Sequence, residues 1–459
     1  MNKDELNMNV QDFFNQYAWS KLQWLIFIIT FLVAFFDGMD TAVMGYIAPS
    51  LMQDWGIDKS QLVPVLSSAL LGAAIGAIAF GPLADKVGRK KILVFSVFLF
   101  SFTCILSVFA QNLPQLIILR FITGLGLGAA MPNAVTLLSE YCPDHKRATM
   151  VNTMYCGFPI GAAVGGFIAS WLIPNFGWKA MLLLSGGVPL LLSIAMIFLL
   201  PESVRYLLLK QKPQQMIQNI LSRINPQAQQ VSKFVLTEHV ATGKNKHPIA
   251  IILSWQLGWG TVLLWISFFS GLMIFYSIIN WMPVLFKEAQ MPEHLGPMVS
   301  GLFALGGLGA IANGWLMDRF NGNLIIAFCT FITAIAVAFI GPSIQMGLGV
   351  FIFVMIVAGT MQNTAQSSLP VLAAQFYPTA ARTTGVSWMC GIGRFGAVAG
   401  TMLMGVLVGK QLNFTDIFTI ISIPAVLMTC CLLLKNALYP ESKKTIEHVK
   451  PQQEISLNQ

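Results

Sequence analysis

Apolar residues run through this chain in blocks of about twenty, separated by short turns that hold nearly all of the charge. A helix of roughly 20 apolar residues crosses a hydrocarbon core of about 30 Å, and in lipid it satisfies its own backbone donors and acceptors. The blocks predict twelve membrane helices, at 22–46, 61–84, 91–110, 113–138, 149–173, 179–200, 254–281, 297–317, 322–342, 346–373, 383–408 and 416–438, with eleven as the neighbouring count. The stretch 201–253 is polar, rich in Gln and Lys and too short for a catalytic domain, so it reads as a connector with one or two surface helices. The expected fold is an all-α integral membrane protein: an N-terminal tail (1–21), a six-helix bundle (22–200), the connecting loop (201–253), a second six-helix bundle (254–438) and a C-terminal tail (439–459).

The two bundles echo each other. Gly81-Pro-Leu-Ala-Asp85 recurs as Gly314-Trp-Leu-Met-Asp318, Pro143 and Arg147 recur as Pro378 and Arg382, Gly124 as Gly359, and 161–165 as 396–400, at offsets of 233 to 235 residues. One nearly constant offset in four places implies a duplicated unit. Two parallel halves joined by a loop can rock about a midplane site, which is how alternating access is built.

Composition narrows the class. Hydrophobic residues make up 56% of the 459 and charged residues 10%, against roughly 25% charged in globular domains, which excludes a soluble enzyme and a nucleic-acid binder. The net charge of +8 reflects its distribution: 21 Lys and Arg fall on the side of the connector, and only Lys59, Lys179, Lys287 and Lys410 on the other. That bias places both termini and the connector in the cytoplasm. The seven cysteines show no disulfide or metal spacing, and the five histidines lie in loops or tails, so neither a metal, a cofactor nor an acid–base constellation of an enzyme is expected. Gly391-Ile-Gly-Arg394-Phe-Gly396 matches a dinucleotide fingerprint in letters only, because it lies inside an apolar block with no strand before it. The first block has no small-residue cleavage site behind it, so the N-terminus is expected to be retained.

Few ionisable residues fall within the spans: Asp37, Asp40, Arg120 and Arg394, with Glu140 at a boundary. An unpaired charge at mid-bilayer costs at least about 2.5–3.5 kcal/mol, so each must face a cavity or a partner. At an offset of 235, Asp37 and Asp40 map to Leu272 and Phe275, and Arg120 to Met355, so the repeat does not copy the charges. Scaffold features occur twice; features for substrate and ion need occur only once. Asp37 and Asp40 are three apart on one helical face, where two acids can share a proton, and they are the candidates for proton coupling. A fixed structural pair with Arg120 or Arg394 is the competing reading. The planar guanidinium fork of Arg394 or Arg120 suits a carboxylate. Tyr276, Asn280, Trp281, Asn313, Gln362, Asn363, Gln366 and Trp388 are neutral polar and aromatic candidates for substrate contact, and Tyr46 and Tyr155 are weaker ones.

The loop Gly81-Pro-Leu-Ala-Asp85-Lys-Val-Gly88-Arg89-Lys-Lys, the run Arg120-Phe-Ile-Thr-Gly124-Leu-Gly-Leu-Gly128 and Pro201-Glu-Ser-Val-Arg205 resemble signatures of the major facilitator superfamily. Asp37-Gly-Met-Asp40-Thr-Ala, continued by Gly45-Tyr-Ile-Ala-Pro49 and Trp55-Gly56, resembles the aromatic acid:proton symporter family, above all its 4-hydroxybenzoate and protocatechuate transporters. The resemblance implies a monomer in the bacterial inner membrane that carries a small aromatic carboxylate with protons, with an essential role for the acidic motif. It also implies gating roles for Gly81, Asp85, Gly88, Arg89, Glu140, Arg147, Asp318, Arg319 and Arg382 at the helix ends. The second loop lacks the Gly-Arg-Lys tail of the first, so a weaker latch is expected there. A drug exporter, a sugar carrier or another organic-anion transporter shares the loop signatures and is the alternative, which the acidic pair disfavours.

Overall fold

The computed structural model describes residues 7–236, 248–288, 291–292, 294–377 and 381–440; at a few positions inside helices, Gly81, Asp85, Asp318 and Arg382 among them, the side-chain surroundings lie outside what is described. Among the described residues, eleven helices are long and apolar enough to cross a membrane: Lys21–Trp55, Lys59–Phe80, Arg89–Phe109, Leu113–Glu140, Asp144–Phe176, Trp178–Leu199, Gly258–Glu288, Gly322–Met346, Leu348–Phe376, Thr384–Gly409 and Phe414–Leu438. The eighth block is a broken helix, Leu295–Leu305, a 3-10 turn at Gly306–Leu308, and Gly309–Arg319. With it the spans number twelve, and they are called one to twelve below.

Local chemistry sets their ends. Ser20 caps span one by accepting from Gln23 N, while the Gln23 side chain accepts from Ser20 N. The helix then runs through Pro49 and stops at Gly56, whose φ of +59° suits a residue without a Cβ. It extends nine residues past the expected end at 46. At the 3-10 turn of span eight, Gly306 lies against the backbone of span ten, where a Cβ would stand 2.3 Å from Thr360 N.

The sequence repeat is a repeat of helix crossings. A Cβ on Gly161 would meet the Phe35 carbonyl oxygen at 1.8 Å, and one on Gly396 the Phe269 carbonyl oxygen at 2.1 Å; Gly124 meets Ala69 as Gly359 meets Phe303. Spans five and eleven therefore cross spans one and seven alike, as four and ten cross two and eight. These pairs set the offset for spans one and seven at 234, one less than the sequence comparison used. Asp37 and Asp40 accordingly correspond to Gly271 and Ile274 rather than to Leu272 and Phe275; they remain uncopied. One crossing inverts its sizes: Gly38 packs on Phe158 in the first half, while Leu272 packs on Gly393 in the second.

The connector is more than a tether. It forms helices Val204–Leu209 and Gln214–Leu221 and a strand, β2 (Lys233–Val235), which pairs in parallel with β1 (Asn7–Asn9) at the N-terminus. Phe13 and Phe14 of the short helix Val10–Gln16 are buried, Phe13 edge-on to Phe234 and Phe14 against Tyr141. Asn15 exchanges two hydrogen bonds with Asp144 at the turn between spans four and five. Lys435, counted above with the C-terminal charges, is instead buried near the end of span twelve, donating to Asn323 Oδ1 at 2.8 Å and lying over the Phe376 ring.

The described contacts between halves run from mid-span to the end away from the connector. Gly45 abuts the Ile279 backbone, Gly166 that of Pro297, and Gly307 the ring of Pro159. At the far end Lys59 pairs with Glu288, and Lys287 Nζ donates to Pro49 O and Gln53 Oε1.

Candidate functional site

The acidic pair of span one is split by its surroundings. Asp40 is fully buried and grips Arg120 of span four with both oxygens, Nη1 to Oδ1 at 3.1 Å and Nη2 to Oδ2 at 2.9 Å. Arg120 Nη2 also reaches the Asp40 carbonyl, and Cys104 Sγ lies 3.9 Å from Nη1. Gly124 and Gly128, one and two turns on, bring span four onto span two. This bidentate pair is sealed within the first half.

Asp37, one turn earlier and about 60° round the helix, points toward the seam between the halves. Its Oδ1 accepts from Thr41 Oγ1 at 3.5 Å. Arg394 of span eleven is its charged neighbour across the seam, and Tyr276 of span seven lies within reach of both charges with its hydroxyl against Thr41. Arg394 donates Nη1 to the Ala73 carbonyl at 2.6 Å, so span eleven holds to span two just beside this cluster. Tyr155 of span five faces the same pair of charges and Cys390, one turn before Arg394. It is 46% exposed although it sits mid-span, which fits a crevice between the halves and not a packed core.

The neutral candidates of the second half take up several positions. Asn280 donates to Thr401 Oγ1 and Trp281, fully buried, to Thr401 O, both holding span seven to span eleven. Gln362 donates to Gly271 O at 2.7 Å and Gln366 to Phe268 O at 3.4 Å; their carbonyl oxygens are buried without a protein partner among the described residues. Gln366 Oε1 and Gln362 Nε2 both lie against Gly271, the residue equivalent to Asp37. Asn363 donates to Phe303 O and Gly359 O, and Asn313 to Ser368. Trp388 is exposed and stacks on Trp265, with centroids 6.0 Å apart. Tyr46 ties span one to span five through Ala162 O.

At the connector end of the first half the expected gating residues gather. Glu140 pairs with Arg89 at 2.9 Å and accepts from Ser203 Oγ. Gly88 turns the chain at φ +118°, against the Glu202 carboxylate, which also accepts from Lys90 N. Arg147 pairs with Asp144 and donates Nε to Ser139 O. Arg319 ends span eight and is exposed. Glu202 and Ser203 were read from the sequence only as part of a motif; their role as anchors of this corner needed the fold. Gly81, Asp85, Asp318 and Arg382 have surroundings outside the described residues.

This arrangement offers one acid and one guanidinium facing each other across the seam, and one sealed ion pair behind them. It has the parts to bind an anion and to take up or release a proton.

Comparison with known proteins gives the chain's family. The description of the Major Facilitator Superfamily matches residues 30–401 and 298–457. The chain is 46% identical over 433 residues to a 4-hydroxybenzoate transporter, PcaK, of Acinetobacter baylyi, covering 94% of each chain. It is 43% identical over 430 residues to a protein of the same description from Pseudomonas aeruginosa, covering 94% of this chain and 96% of that one. Among solved structures, the inward open conformation of the xylose transporter XylE from E. coli superposes with a TM-score of 0.72 at 17% identity, over 92% of this chain and 98% of that one, a likeness of fold alone.

Proposed function

The chain belongs to the major facilitator superfamily, and we propose that it imports an aromatic carboxylate of the 4-hydroxybenzoate and protocatechuate class together with protons, by alternating access. Membership makes it a multi-pass membrane transporter rather than an enzyme. The observation that carries the substrate reading is its likeness, along 94% of its length, to proteins described as 4-hydroxybenzoate transporters.

The geometry supports the rest. Arg120 is committed to Asp40, so Arg394, with a single recorded hydrogen bond and a place at the seam, is the better anchor for a carboxylate. Asp37 faces the same space and is the better proton carrier. A monoanion entering a negative interior pays about 2.3 kcal/mol per 100 mV; one proton on Asp37 cancels that charge, and the pH gradient then drives accumulation. The charge bias along the loops supports a cytoplasmic connector and termini in the bacterial inner membrane. With that orientation, the ties at the far end close the outer side, and the crevice by Tyr155 faces inward.

Uptake of labelled 4-hydroxybenzoate and protocatechuate into proteoliposomes, under an imposed inside-alkaline gradient, tests this directly. Gradient-driven accumulation that a protonophore abolishes is the expected result; accumulation indifferent to the gradient would remove proton coupling, and no accumulation of either acid would remove the substrate class.

The far-end ties make a second prediction. Lys59 and Glu288 are each about one-third exposed, so their pair contributes at most about 1 kcal/mol. Glu288→Gln is therefore expected to shift the gate by about two- to fivefold, read as faster labelling of a cysteine placed at Met52 by an impermeant thiol reagent. Unchanged labelling would show that the pair does not hold the gate.

A further inference from the structure

We propose that Tyr155 is the residue that selects for a hydroxyl on the substrate ring, an inference that rests on the aromatic-carboxylate reading above and deepens it. Four observations converge on this side chain. It belongs to span five of the first half but faces the turn of span eleven that bears Cys390 and Arg394, so it lies across the seam from the proposed carboxylate anchor. It is 46% exposed although it lies within the span, so it is not part of the packed core. Its hydroxyl makes no hydrogen bond among the described residues, whereas the Tyr46 hydroxyl donates to Ala162 O. Finally, the backbone stays helical through Cys156, directly after Tyr155, and Gly157 packs on span one. The ring is thus carried on a helix seated against span one while its polar end stays available.

A phenol offers one donor and two acceptor sites. A benzoate with its carboxylate on Arg394 would carry a ring hydroxyl away from the guanidinium and toward the opposing half. There Tyr155 can accept from it or donate to it, and Asp37 is close enough to complete the arrangement. Sites built around a buried polar partner discriminate by what goes unpaired when the substrate lacks the matching group. Tyr276 instead neighbours Thr41, whose hydroxyl donates to Asp37, and so bears on Asp37 and not on the ring substituent.

The test compares labelled 4-hydroxybenzoate with unsubstituted benzoate as substrates of wild type, Tyr155→Phe and Tyr276→Phe, with the amount of folded protein measured by fluorescence size-exclusion chromatography. Tyr155→Phe is expected to reduce the preference for 4-hydroxybenzoate, taken as the ratio of Vmax/KM values, by about five- to tenfold, mainly through KM. Tyr276→Phe is expected to change both substrates together. An unchanged preference in Tyr155→Phe, or a loss shared equally by both acids, overturns the assignment. Failure of the wild type to take up either acid overturns the functional reading itself and this inference with it, so the two failures are told apart by the wild-type measurement alone.

Discussion

Asp37→Asn is expected to end accumulation of the substrate against its gradient while leaving the folded protein in the membrane. Asp37 contacts Thr41 and faces Arg394 across the seam, and it anchors no other helix through a bidentate pair. An amide of the same shape can still accept from Thr41 but cannot take up or release a proton. Without the proton, the anion meets the full cost of the membrane potential, and at 100 mV an uncoupled monoanion would settle about fiftyfold below its outside concentration. The accumulation ratio should therefore fall from above one to below one. Substrate exchange between equal concentrations on the two sides, which needs no net proton movement, should survive. Gradient-driven accumulation that persists in Asp37→Asn would place the proton elsewhere.

Asp40→Asn should fail in a different way. Its partner Arg120 is 1% exposed, and removing one member of a buried pair leaves the other charge uncompensated, at a cost of about 3–5 kcal/mol. Loss of folded protein on extraction, or a markedly lower melting transition, is the expected outcome, with transport lost as a consequence. Replacing both members by apolar residues of similar size, Asp40→Leu with Arg120→Met, should restore much of the folded protein, because no orphaned charge remains. An Asp40→Asn protein as stable as wild type would show that the pair does not hold spans one and four together. Read together, the two variants separate the acid that carries a proton from the acid that holds the bundle.

That separation was not visible in the sequence. Three residues apart, both acids share a helical face, and the pattern gave no reason to treat them differently. What divides them is about 60° of rotation and the identity of the neighbouring helix: span four with Arg120 for one, the seam with Arg394 for the other. The spans themselves were legible, because lipid forces long apolar runs and charged turns. The repeat was legible too, but its register was one residue off at spans one and seven, which only the matched crossings of Gly161 on Phe35 and Gly396 on Phe269 settle. Lys435 was misplaced for a physical reason: a lysine at the end of an apolar run usually reaches for water, and here Asn323 and the Phe376 ring hold it inside instead. The three-residue strands gave no signal, since a stretch so short carries no alternation to read.

Those strands also bear on how the protein is made. Asn7–Asn9 can pair only once Lys233–Val235 has left the ribosome, after all six helices of the first half have been synthesised. The N-terminal hook therefore stays unfastened throughout their insertion and closes as the seventh helix begins to emerge. The first half is thus sealed by its own first residues, a contact of very long sequence separation that forms late. A fusion partner or tag placed at the N-terminus would interfere with that closure, and so with the maturation of the first bundle more than with the transport cycle of the finished protein.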